Sequence, residues 1–84
     1  MNLPMGFMKQ IGTTGTEVLF ANPKKTILRF HEDGREGEIR DNVTSIEIHN
    51  GSAGVSIIMN FKTEEGVGLV GEDLKRIKEI LIYD

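Results

Sequence analysis

The sequence predicts an α+β domain: a small antiparallel, twisted β-sheet or open barrel of about five to seven short strands, with a C-terminal helix. Three observations carry that expectation. Apolar and polar residues alternate with the two-residue period of half-buried strands through residues 43–61, and again through 26–40. Turn dipeptides (Asn22-Pro23, Asp33-Gly34, Asp41-Asn42 and Asn50-Gly51) punctuate these runs. Only residues 72–82 change period: Leu74, Ile77 and Leu81 fall at i, i+3 and i+7, the stripe of a helix laid on a sheet.

At the amino end, residues 1–8 are apolar but poorly patterned, and Pro4 and Gly6 argue against a helix. Phe7, Lys9 and Ile11 share one face of a short strand. Met5, Phe7 and Met8 suit either a strand packed on the core or an adaptable contact surface. Gly12-Thr13-Thr14-Gly15-Thr16 is a loop whose amides and hydroxyls have the composition of an anion cradle. It lacks the Lys-Ser/Thr pair of a P-loop. Residues 17–21 read as a strand ended by Asn22-Pro23, with Lys24 and Lys25 following on the turn.

Placing Asp33-Gly34 as a two-residue loop sets a hairpin over residues 26–40. Leu28 then faces Ile39, Arg29 faces Glu38, Phe30 covers Gly37 and His31 faces Glu36, so hydrophobicity and charge agree on one register. Asp41-Asn42 turns the chain into the central hairpin, residues 43–61. A tight loop on Asn50-Gly51 pairs Ile46 with Val55, and a four-residue loop pairs Ile46 with Ile57. Both registers have the same parity and send the same face inward. Ile58 falls on the other face. If that face meets solvent, Ile58, Val43 and the amino-terminal Met/Phe group form an apolar contact surface. In the helix expected at the end, Glu72 pairs with Arg76 and Lys75 with Glu79 at i, i+4, although Ile80-Leu81-Ile82-Tyr83 is β-prone.

Composition narrows the function classes. The 84 residues make one domain. The absence of cysteine excludes disulfides and thiolate metal sites and fits the cytoplasm. No secretory signal is recognisable, and no apolar run approaches the roughly 20 residues of a membrane span. A net charge of -3 argues against indiscriminate nucleic-acid binding.

Gly66-Val-Gly-Leu-Val-Gly71 matches G-x-G-x-x-G before the expected helix. The sequence holds no second strand for a βαβ unit, and Glu64, Glu65, Glu72 and Asp73 would repel a pyrophosphate. A glycine-flanked edge strand over residues 67–70 is the better reading. His31 and His49 lack the spacing of a zinc site. Carboxylate pairs such as Glu17 and Glu47 can be drawn, but none is singled out.

No catalysis, cofactor or metal is therefore expected. What remains is a non-enzymatic small binding protein acting through protein–protein contact or self-association, as an inhibitor or adaptor. Small acidic cysteine-free domains of this kind are frequent among phage and mobile-element accessory proteins. An alternative of another class is an oligomer that sequesters a small anionic ligand such as a nucleotide. Its parts would be Gly12, Thr13, Thr14, Gly15 and Thr16 with Lys24, Lys25 and Arg29. A nucleic-acid-binding small barrel using the same basic residues is a third.

Overall fold

The chain is an all-β protein, not α+β. The computed structural model describes residues 6–32 and 36–83. Its strands are β1 (Gly6–Ile11), β2 (Gly15–Phe30), β3 (Glu36–Gly51), β4 (Gly54–Thr63), β5 (Gly66–Asp73) and β6 (Ile77–Tyr83). They form one antiparallel sheet in the order β1-β2-β3-β4-β5, with β6 also paired to β2.

The expected C-terminal helix is absent. Leu74–Arg76 make a single 3-10 turn, and the chain then runs as β6 along residues 25–30 of β2. Three physical reasons favour the strand. Asp73 gives the turn no side-chain cap, and the Ile80–Tyr83 run prefers extended backbone. The open edge of β2 supplies a hydrogen-bonding ladder that a helix would leave unpaired. The Glu72–Arg76 pair forms nonetheless, at 2.7 Å. Glu79 instead binds Arg29, at 2.8 Å, and Lys75 lies 3.9 Å from Asp73.

Two expected strand breaks become bends within long strands. Pro23 cannot donate to the ladder, and the register between β2 and β3 jumps from Leu19↔Ser45 to Lys24↔Val43. Asn42 has φ 59, and β3 continues through it. These irregularities let β2 and β3, 16 residues each, serve two halves of a curled sheet. The principal extents, 33 × 31 × 30 Å, are nearly equal, as a flat sheet's would not be. Three residues, Leu74–Arg76, carry the chain in four steps from Asp73 on one edge to Ile77 on the other. The two edges therefore approach within about 14 Å at that end.

The inner face holds Leu28, Phe30, Val43, Ile46, Ile57, Met59 and Ile77, with Phe20, Ile48, Phe61, Val70 and Ile80 packed around them. In the central hairpin Ile46 pairs with Met59 and Ile48 with Ile57, four residues beyond the tight-loop register and two beyond the four-residue-loop one. The loop is Ser52-Ala53, flanked by Gly51 and by Gly54 at φ 127. Asn50-Gly51 lies inside the ladder, but parity is kept, so Ile46, Ile57 and Met59 do face inward. In the hairpin before it, Ile27 faces Ile39 and Leu28 faces Glu38, a one-residue correction to the expected register. Ile39 is more than a third exposed and could not have shared the inner face with Leu28. The expected cover of Gly37 by Phe30 is present: a Cβ on Gly37 would sit 2.6 Å from the Phe30 ring. The loop residues 33–35 lie outside the described residues.

Candidate functional site

Register places rows of residues on the outer face of the sheet. One row runs Lys9, Glu17, Glu47, Ile58 and Gly71, and the next runs Gly15, His49, Ser56 and Asp73. Glu17 and Glu47 thus stand directly opposite each other, an arrangement that like charges disfavour. Neighbouring polar groups compensate. Ser45 Oγ donates to Glu17 Oε2 at 2.8 Å, and Asn60 Nδ2 donates to Ser45 Oγ at 3.0 Å and to Glu47 Oε2 at 2.6 Å. His49 Nε2 lies 2.8 Å from Glu47 Oε1.

The bond from Asn60, then that to His49, holds the Glu47 carboxyl below its ordinary value of 4.5 against the opposing effect of burial. Glu47 is therefore ionised at neutral pH with both oxygens occupied, which suits it poorly to proton donation. The His49 ring leans over Gly15, on the side away from Ser56: a Cβ there would lie 3.1 Å from Nδ1. The groups satisfy one another and lock β2, β3 and β4 together. Among the described residues no cluster of three or more His, Asp or Glu side chains is placed to hold a metal ion.

A pH dependence follows from Glu47. Its lowered pKa contributes stability that is complete above the unfolded value and is lost as pH falls through the folded one. Glu47→Gln is expected to lower the unfolding free energy by about 1 kcal/mol at neutral pH. Denaturant titrations should show the gap to wild type closing as the acid range is entered. A gap that stays constant with pH would mean that Glu47 acts through shape alone.

The glycine–threonine loop joins β1 to β2, with Gly12 at φ 61. Thr13, Thr14, Gly15 and Thr16 line a surface depression of about 320 Å³ together with Met8, Lys9, Gln10 and Asn50. The Asn50 N–H donates to the Thr14 carbonyl at 3.0 Å, so this loop is tied to the β3–β4 hairpin. The basic residues expected to join it do not. Lys24, Lys25 and Arg29 follow the bend in β2, and the Arg29 guanidinium is bound to Glu79. The structure brings the loop together with Lys9 and Asn50 instead.

The apolar candidates also separate. Val43 is fully buried in the core, so its expected place on a contact surface is corrected. Ile58 is half-buried beside the polar network, and Met8 is exposed on β1. Phe7 lies in β1 in register with Leu19, and Met5 lies outside the described residues. The most exposed large apolar side chains among the described residues are elsewhere: Val67 at 72% and Leu69 at 67%, both on β5.

The G-x-G-x-x-G stretch is β5 itself, a strand that among the described residues pairs only with β4. Its eight register pairs, Ser56↔Asp73 to Thr63↔Gly66, run without a bulge. Between Gly66 and Gly71 it carries no charge and no proline. Natural edge strands are usually blunted by lysine, proline or a bulge. The edge of β1 carries Lys9, and β6 carries Lys78 and a register shift against β2. β5 has no such guard. Phe61 fills the space over Gly68 on the inner face, where β5 has no side chain of its own. The signal was present in sequence as Val67 and Leu69 alternating with glycines, but reading it as a surface required knowing that β5 has only one neighbour among the described residues.

Comparison with known protein families, characterised proteins and solved structures finds nothing that matches this chain. Among the described residues, no helix is long and apolar enough to cross a membrane.

Proposed function

We propose that this protein is a non-enzymatic binding module, an inhibitor or adaptor, that acts through protein–protein contact at the edge of β5. One observation carries the reading: β5, an edge strand among the described residues with no lysine, proline or bulge, exposes Val67 and Leu69 on one face. An extended segment added to such an edge gains main-chain hydrogen bonds, and its alternate side chains cover the two apolar ones. Leu69 and Val67 then leave water, where each now holds apolar area that favours burial at about 25 cal/mol per Å².

The test is site-specific photo-crosslinking in cells that make the protein. A photoreactive residue in place of Leu69 should give a discrete adduct of higher mass, whereas the same residue in place of the exposed Lys25 should not. The adduct should vanish when Val67→Lys is added, because a charge there guards the edge. Equal adducts from both positions, or none from position 69, would overturn the reading.

A further inference from the structure

Resting on that reading of the β5 edge, we infer that the partner is an extended segment with alternating apolar side chains and a basic end. The occupant is set by charge. At the β4–β5 turn, Glu64 and Glu65 are exposed and have no cationic partner among the described residues. At the other end of β5, Glu72 already holds Arg76 at 2.7 Å and Asp73 lies 3.9 Å from Lys75. The edge thus presents an apolar centre, with Lys62 across from Val67, and one acidic end whose carboxylates are in no ion pair among the described residues.

A second copy fits this pattern less well. Two copies paired antiparallel about a two-fold axis normal to the sheet keep outer face against outer face. Only residues of like parity can then stand opposite each other. With Gly68 on the axis, Val67 meets Leu69 of the other copy, but Glu64 meets Glu72. With Leu69 on the axis, Glu65 meets Asp73. Each of these apolar matches brings Glu64 or Glu65 against another carboxylate, twice per dimer, and like charges directly opposite are destabilising. A foreign strand with lysine or arginine beside Glu64 and Glu65 keeps the apolar match and removes the repulsion.

The experiment is a titration of isotope-labelled protein with three synthetic peptides of alternating Val and Thr, followed by amide chemical shifts. One peptide ends in two lysines at its carboxy terminus, one in two glutamates there, and one carries the two lysines at its amino terminus. An antiparallel strand on β5 sets its carboxy end beside the β4–β5 turn, so the first should bind most tightly. It should exceed the glutamate peptide about five- to tenfold in ~50 mM salt, and the margin should shrink at high salt. Shifts should concentrate in residues 66–73. The double variant Glu64→Lys/Glu65→Lys should reverse the preference.

Equal affinities for lysine- and glutamate-ended peptides would overturn the basic partner while leaving contact at the β5 edge intact. So would a stable dimer, seen by light scattering, that Leu69→Lys dissolves. Absence of any shift in β5 with all three peptides would also overturn the inference. The crosslink from position 69 then decides separately whether the edge is a contact surface at all.

Discussion

Leu28→Ala is expected to lower the unfolding free energy by about 2–5 kcal/mol, the range for emptying a fully buried leucine site. Leu28 is 0% exposed and lies in β2 between β3 and β6, opposite Glu38 on one side and Ile80 on the other. Strand backbone on both sides holds the site open, so little collapse can offset the cavity. A domain of this size has a stability of only about 4–13 kcal/mol, so the loss is a large share of the total. The melting temperature should fall by more than about 10 °C. Leu69→Ala is the control. It removes a side chain of the same type that is 67% exposed, and should change stability by less than about 0.5 kcal/mol. Thermal or denaturant unfolding of the two variants checks this, and similar losses from both would contradict the assignment of the core to the inner face of β2.

The reach of the sequence differs from element to element, and the reason is physical. Parity in residues 46–61 was legible because the two-residue period survives any even slip, whereas the shift between Val43 and Ser45 breaks it and turns Val43 inward. Ile46, Ile57 and Met59 therefore face inward although the turn sits at Ser52-Ala53 and not at Asn50-Gly51. Phe30 over Gly37 was legible because a ring beside a residue with no side chain is a local match. The end of the chain was not legible. Leu74, Ile77 and Leu81 fit a helical stripe, and what decides for β6 is the unpaired edge of β2 some fifty residues earlier, which no local window contains.

The same limit governed the candidate sites. Glu17 and Glu47 look unrelated in sequence, and only the β2–β3 register sets them face to face within reach of Ser45 and Asn60. Conversely, Gly12–Thr16 and Arg29 share one strand's neighbourhood in sequence, yet the bend at Pro23 and the Glu79 carboxylate take Arg29 elsewhere. Val67 and Leu69 were visible as an edge strand, but their exposure depends on β5 having no second neighbour among the described residues, which is a property of the whole sheet.

Gly37→Ala should be far more damaging than its single added methyl suggests. A Cβ at position 37 would lie 2.5 Å from the Leu28 carbonyl oxygen and 2.6 Å from two carbons of the Phe30 ring. Neither neighbour can withdraw cheaply. The carbonyl belongs to the β2 backbone, and the ring is buried with the Arg76 guanidinium 4.9 Å from its centroid. Overpacking of this kind costs about 1–3 kcal/mol. Gly68→Ala makes the informative comparison, because its nearest atoms belong to a side chain alone: Phe61 ring carbons at 2.5 and 2.7 Å. That ring is only partly buried, with the Arg40 guanidinium 5.3 Å from its centroid, and it can pivot outward. Alanine also loses less backbone entropy than glycine on folding, which offsets part of the strain. Gly37→Ala should therefore melt several degrees below Gly68→Ala in the same buffer. The reverse order would mean that β2 yields at Leu28 more readily than the Phe61 ring moves, and the bend at Pro23 would then be the compliant part of the sheet.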